Sequence, residues 1–404
     1  MNAAVKTLKS LVPAWVVWTS ELSPFGLKLL LLCRGSGFPV RVLPASGTTL
    51  ENLRYSRRRE LLLRRRLPLT WPLMTAEDEF PAVPYLFGPG GENLYDSTAI
   101  AEWLDGRAGA AALRWIPEDR AAAFVVRLID DYADEFGIYM VHHNRWKVSA
   151  TDNDAGARVA RDFASLFGPL RHAFGRWFAR RQVRRLPYLF SVAPEGFSIE
   201  GVARVLTPPS RGGFPPTHEL LEDAFARLAD ILETLLSERA FVLGERPTLA
   251  DAALYGQLAM NLSDPGARRW MHERAPRLEA WLVRLHDGAA DVLPARGDIG
   301  LDAAIKPLLS EIFRIHVALM RANYAAWSDL RQRGCARFNE AAFDRCEALY
   351  DGELDGRRFR AVAKSFQARV WMDCLARWKA LGASEREAVA RLLPEDHGLD
   401  GEVR

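Results

Sequence analysis

Three short stretches put a hydroxyl or a carboxylate where a helix should begin: Ser23-Pro24-Phe25-Gly26, Asp96-Ser97-Thr98-Ala99-Ile100 and Thr248-Leu249-Ala250-Asp251. Proline is tolerated in a first helical turn, so Ser23 reads as the residue that opens a helix. The free amides and the dipole at such an end favour an anion, and a serine hydroxyl there can add a hydrogen bond to it. Asp96 and Ser97 form a second end of this kind. Thr248 and Asp251 stand three residues apart, the spacing of a capping box, and are expected to be structural.

Other chemistries find little support. His142 and His143 are adjacent, about 100° apart on a helix, and cannot share one ion from one face. HxxxH and HExxH spacings are missing, so no metal site is expected. Neither a GxSxG elbow nor a dinucleotide fingerprint occurs. Gly88-Pro89-Gly90-Gly91 has no Gly-Lys-Ser/Thr after it and reads as a turn between strands rather than a phosphate loop.

Two arginine-rich stretches invite a lipid or nucleic-acid reading. Arg54 to Arg66 holds seven arginines and one acid, and Arg176 to Arg185 interleaves arginine with Trp177 and Phe178. Leu61, Leu62 and Leu63 spread too widely around a helix to make an apolar stripe, and Arg176, Arg180 and Arg184 share one side. Solvated helix faces are the expectation for both.

These pieces need elements to hold them. Residues 14–18 read as a buried strand, Leu27 to Arg34 as a helix and Val40 to Leu43 as a second strand, paired parallel to the first. Val83 to Phe87 and Glu92 to Tyr95 read as two strands around a tight turn, and Thr98 to Leu104 as a helix. Beyond Pro117 long helical patterns take over: Arg120 to Trp146, Ala155 to Arg185, Glu219 to Leu236, Ala250 to Leu262 and Arg277 to His286. A last helical block is expected over Leu308 to Leu381.

Composition sets the outer limits. The chain has 404 residues, 49% of them hydrophobic and 26% charged, which excludes disordered and collagen-like classes. Fifty-four basic against 51 acidic residues leave a net charge of +3, too near balance to mark a nucleic-acid binder. The four cysteines make no CxxC pair, so no disulfide framework is expected. Its longest apolar runs are too short to span a membrane, and Met1 to Pro13 does not read as a signal peptide. A cytoplasmic location is expected.

Taken in order, the motifs resemble the glutathione transferase superfamily. Ser23-Pro24-Phe25-Gly26 with Lys28 resembles the active-site start of serine-type members, closest to the plant tau-like pattern. Ala82-Val83-Pro84-Tyr85-Leu86 resembles the segment whose proline is cis, and Asp96-Ser97-Thr98-Ala99-Ile100 the acidic-Ser motif. Leu243-Gly244-Glu245-Arg246-Pro247-Thr248-Leu249-Ala250-Asp251 resembles the turn and cap of the helical domain. Ala82 stands where the family often has lysine.

The resemblance implies an α+β thioredoxin-like domain over residues 1–110 with a basic insertion at 50–80. An all-helical domain follows over 115–293, and a helical C-terminal extension over 300–404. It implies a glutathione-dependent transferase, with glutathione as co-substrate, an electrophilic, largely apolar acceptor and a homodimeric state. Ser23 would be the catalytic serine, and Val83, Pro84, Asp96 and Ser97 would bind glutathione. Phe25, Tyr139, His142, His143, Arg145 and Trp146 are the candidates for the acceptor side. The alternative is a non-catalytic binding or scaffold protein that keeps the fold. No nucleic-acid partner is expected.

Overall fold

The computed structural model describes residues 14–70, 83–109, 112–288 and 293–400. Ala82 and the later part of the expected basic insertion, residues 71–80, lie outside that set. A four-stranded sheet occupies the first hundred residues: β1 (Trp15–Trp18), β2 (Val40–Leu43), β3 (Tyr85–Phe87) and β4 (Asn93–Tyr95), in the order β2-β1-β3-β4. β1 pairs parallel with β2 in the register Trp15–Val40, and antiparallel with β3 in the register Val16–Phe87. A parallel pair needs a crossover connection to return the chain, and α1 (Pro24–Gly35) supplies it. α2 (Thr49–Leu63) follows β2, and α3 (Ser97–Asp105) follows β4. This is the thioredoxin-like arrangement.

The helical region opens with α4 (Arg120–Tyr132), which continues through a π turn at Ala133–Gly137, α5 (Ile138–His143) and a second π turn at Asn144–Val148. The expected helix over Ala155 to Arg185 is three pieces: α6 (Ala155–Asp162), α7 (Ala164–Phe167) and α8 (Arg171–Arg185). The breaks fall at Phe163 and at Gly168-Pro169, where Gly168 takes φ +50° and proline cannot continue the ladder. α9 (His218–Leu235), α10 (Leu249–Leu258), α11 (Pro265–Arg274) and α12 (Pro276–His286) complete this region.

Beyond it lie α13 (Lys306–Ile312), α14 (Ala318–Gln332), α15 (Glu340–Asp344), α16 (Ser365–Lys379) and α17 (Ala383–Ala390). The expectation of a purely helical tail is corrected here. Between α15 and α16 stands an antiparallel hairpin, β5 (Leu349–Leu354) with β6 (Arg357–Val362). Asp355 and Gly356 turn it with φ +49° and +72°, both left-handed, as a two-residue hairpin turn demands.

The tail does not stand apart. Trp371, Leu375, Trp378, Phe343 and Phe359 join the same buried cluster as Phe124, Ile129, Tyr139 and Phe190 of the helical region. Phe190 meets the Phe359 ring at 5.0 Å, and Phe124 meets Trp378 at 5.4 Å. No described helix is long and apolar enough to cross a membrane.

Candidate functional site

Ser23 is the N-cap of α1, with extended backbone at φ −95°, and its Oγ accepts from the Gly26 N–H at 3.1 Å. Strand β1 ends at Trp18, and the turn that follows brings Ser23 down beside Thr19. Gly26 is required there, because a Cβ on it would lie 2.0 Å from Thr19 Oγ1. The Pro24-Phe25-Gly26 turn therefore holds the α1 amides close beneath the Ser23 hydroxyl. Pro24 is buried and Phe25 half-buried.

α3 presents the second helix end. Asp96, not Ser97, is its N-cap: Oδ1 accepts from the Thr98 N–H at 2.9 Å and from the Ala99 N–H at 3.0 Å. Asp96 adopts φ +69° to do so, an uncommon conformation for a residue with a side chain. Ser97 is thus the first helical residue, and its N–H is one of the amides a helix leaves without an internal partner. The Val83–Pro84 peptide bond is cis, directly before β3.

Lys28 joins the two ends. It lies on the first turns of α1 with its ammonium fully buried, and Nζ donates to Thr98 Oγ1 at 2.8 Å, Asp130 Oδ1 at 2.5 Å and Asp134 Oδ2 at 2.6 Å. Thr98 Oγ1 in turn donates a hydrogen bond to Asp130 Oδ2 at 2.8 Å. Burial works against the Lys28 charge, but Asp130 and Asp134 outweigh it and hold its pKa above the ordinary lysine value. Burial likewise pushes the Asp134 carboxyl up to about 7, with Asp130 adding to the rise and Lys28 opposing it. One bridge thus fixes the start of α1, the start of α3 and α4 together. The sequence signal for it was a single lysine inside the apolar run Leu27 to Cys33.

α10 closes the back of α1. A Cβ at Gly256 would stand 2.7 Å from both Pro24 O and Lys28 Cβ, so only glycine allows this approach. The start of α10 is set by Asp251, which is fully buried: Oδ2 accepts from the Thr248 N–H at 2.8 Å and the Thr248 hydroxyl at 2.9 Å, and Oδ1 from the Val242 N–H at 2.8 Å.

The structure does not gather the acceptor-side candidates into one wall. Arg145 and Trp146 lie beside the loop that carries Ser23. The Arg145 guanidinium is paired with Asp264 at 2.9 Å and reaches the Leu22 carbonyl at 3.4 Å, while Trp146 packs in one buried cluster with Leu22. Tyr139 points elsewhere. Its hydroxyl accepts from Lys364 Nζ at 2.6 Å and from Gln367 Nε2 at 2.8 Å, so it is an anchor for the tail. His142 is bonded through Nδ1 to the Ile138 carbonyl one turn back, and burial drives its pKa down to about 3, so it stays neutral.

His143 belongs to a separate network that sequence reasoning missed. Its Nδ1 meets Ser191 Oγ at 2.9 Å and its Nε2 meets Glu222 Oε1 at 2.9 Å. The chain hydroxyl–imidazole–carboxylate has the connectivity of a nucleophile triad, but Ser191 and His143 are both wholly enclosed. A nucleophile that no substrate atom can reach is a core hydrogen-bond chain. It ties α5 to the segment before α9. Two open surface clefts of 370 and 430 Å3 lie at Pro117–Ala122 and at Glu238–Glu245, and neither has Ser23, Val83, Asp96 or Ser97 in its walls.

Comparison with known proteins now bears on these elements. The family model of the glutathione S-transferase C-terminal domain matches residues 215–284, which span α9 to α12. Among solved structures, a glutathione S-transferase of Ceriporiopsis subvermispora in complex with glutathione is similar at 16% identity and TM-score 0.41, covering 70% of this chain and 99% of its own. The beta-etherase LigF of Sphingobium sp. strain SYK-6 is similar at 16% identity and TM-score 0.40, over 70% of this chain and 96% of that one. A glutathione S-transferase of Methylobacillus flagellatus with glutathione bound gives 19% identity and TM-score 0.38, over 69% and 96%. No curated protein sequence matches the chain. The stretch from α9 to α12 is thus similar to the C-terminal domain of glutathione S-transferases, and in this chain it follows a β2-β1-β3-β4 sheet.

Proposed function

We propose that the protein is a glutathione-dependent transferase in which the Ser23 hydroxyl and the first amides of α1 stabilise the glutathione thiolate for attack on an electrophilic, largely apolar acceptor. A free thiol has a pKa near ~8.5 and is mostly protonated at neutral pH. Lowering it by about two units requires roughly 2.7 kcal/mol of preference for the thiolate. A serine N-cap can contribute a charge-assisted hydrogen bond and the adjacent helix end a further share. Serine donates and takes no covalent part, which suits conjugation, thiolytic ether cleavage or dehalogenation rather than thiol–disulfide exchange.

The observation that carries this reading is the Lys28–Thr98 bond of 2.8 Å, which sets the N-terminal turns of α1 and α3 side by side. Glutathione is an extended anionic peptide. Two neighbouring helix ends offer one place for its thiolate, at Ser23, and one for its γ-glutamyl carboxylate, at Ser97. The Asp96 carboxylate beside Ser97 suits the γ-glutamyl ammonium. The Val83 backbone, before Pro84, would pair with the cysteinyl amide as an added strand does. On the acceptor side Phe25, Arg145 and Trp146 flank the Ser23 loop.

Retention of the purified protein on immobilised glutathione, with elution by free glutathione, tests the binding half. Saturable heat on titration with glutathione is expected. No retention and no heat would leave the fold as a non-catalytic scaffold.

A further inference from the structure

Six large apolar side chains are strongly exposed among the described residues: Leu50 at 80%, Leu53 at 53%, Phe167 at 37%, Leu170 at 67%, Trp177 at 55% and Val205 at 56%. They fall on neighbouring elements. Leu50 and Leu53 sit in the first turns of α2, and Phe167, Leu170 and Trp177 on α7, the turn after it and α8. Asn52 Nδ2 donates to Ser165 Oγ at 2.6 Å, joining α2 to α7. Phe167 stacks on Phe174 at 4.2 Å and Phe174 on Trp177 at 5.7 Å. The short turn that carries Val205, Arg204–Leu206, packs on α8.

The charges on α7 and α8 have one sign, and Glu51 beside Leu50 on α2 is taken up by Arg41. Residues 164–185 contain six arginines, one histidine and no carboxylate. Arg181 and Arg185 are engaged by Glu340, but Arg171, Arg176, Arg180 and Arg184 have no ion-pair partner among the described residues. α8 is seated on α6 by Gly175, Ala179 and Val183, so closely that a Cβ on Gly175 would meet Gly156 O at 2.1 Å. At ~100° per residue Trp177 and Arg184 point directly away from that seam, with Arg180 beside them. Exposed Arg54 and Arg57 stand next to Leu50 and Leu53 on α2.

We propose that this face docks α8 flat on an anionic phospholipid surface. Indole and leucine tips suit the boundary between headgroups and acyl chains, while guanidinium groups above them reach lipid phosphates. Charge decides among occupants. A second copy paired symmetrically through this face would set arginine against arginine. A nucleic-acid backbone would satisfy the arginines but give the aliphatic tips of Leu50, Leu53 and Leu170 nothing to bury against. Only an anionic bilayer meets both demands. The inference stands whether or not the protein binds glutathione.

Flotation of the full chain with vesicles tests it, using phosphatidylcholine alone and phosphatidylcholine doped with phosphatidylglycerol. The protein should float with the doped vesicles only, and less as salt rises. Replacing Arg176, Arg180 and Arg184 together by glutamate should weaken partition about 100-fold or more. Trp177→Ala with Leu170→Ala should weaken it about tenfold while the salt dependence persists. Both sets lie on the surface, and unchanged circular dichroism should certify their fold. Any of four results would overturn the proposal: no flotation with anionic vesicles, equal flotation with neutral ones, flotation that both variant sets leave unchanged, or tighter binding to duplex DNA that the arginine variant abolishes. A dimer lost in the Trp177/Leu170 variant, without flotation, would assign the face to a second copy instead.

Discussion

Lys28 on α1 and Asp130 on α4 stand 2.5 Å apart across the boundary between the sheet-bearing region and the helical region, both almost wholly buried. A buried pair of this kind adds modest net stability, but removing one partner leaves the other uncompensated. Lys28→Met should therefore cost about 3–5 kcal/mol, read as a lowered midpoint in urea unfolding. Because the same ammonium bonds Thr98 next to Ser97, the variant should also lose affinity for glutathione. Unchanged stability would show that the network carries no strain when broken.

Asp134 makes the network pH-sensitive. Its folded pKa of about 7 lies above the unfolded value of ~3.9, so between these the folded chain holds a proton the unfolded chain has released. That contribution is complete below pH ~3.9 and is lost as pH rises through 7, at up to ~1.4 kcal/mol per unit. Glu135 extends the window: burial pushes its carboxyl up to about 8, Asp134 adds to the rise, and Lys364 opposes it. Asp134→Asn should flatten the fall in thermal midpoint between about pH 4 and 7 relative to the parent. Parallel curves would contradict the assignment.

The Tyr139 hydroxyl is one of the polar anchors that hold the tail beside its apolar contacts. Lys364 Nζ bonds Tyr139 and lies over the Tyr139 and Tyr188 rings at 4.7 and 4.4 Å. Tyr139→Phe keeps the ring but leaves Lys364 and Gln367 donors short of an acceptor, a loss of about 1–3 kcal/mol. Limited proteolysis should then cut first within residues 330–365. A cleavage pattern identical to the parent would remove Tyr139 as the anchor.

Asp251→Ala strips three hydrogen bonds from buried donors at the start of α10. A cost of about 2–4 kcal/mol is expected, with little change in kcat at low temperature, because α10 packs behind Ser23 rather than over it. A large fall in kcat with stability intact would mean that Asp251 acts on the chemistry directly.

Much of this was legible along the chain, and the failures have physical causes. Val40 to Leu43 reads as a strand and is one, because it is short, rich in β-branched valine and bounded by turn residues. Asp355-Gly356 between Leu354 and Arg357 is a strong hairpin signal, yet the surrounding helical pattern hid it: residues 308–381 read as one helical block. Ser23 and Thr248 are visible as helix starts since caps are local. Lys28 was quotable within the Ser23 motif, but its partners Asp130 and Asp134 are more than a hundred residues away, and no spacing rule relates them. The separate surroundings of the acceptor-side candidates are hidden for the same reason. Tyr139, Arg145 and His143 look alike on one helical stretch, and only distant Lys364, Asp264 and Glu222 separate their roles.

The role of Ser23 is tested most directly by the ultraviolet absorbance of the thiolate as glutathione is titrated onto the protein across a pH series. The parent should show bound glutathione ionising about two units below the free thiol, and Ser23→Ala should return that midpoint most of the way while still binding glutathione. The same ionisation in both proteins, or in the parent and in free solution, would contradict the account.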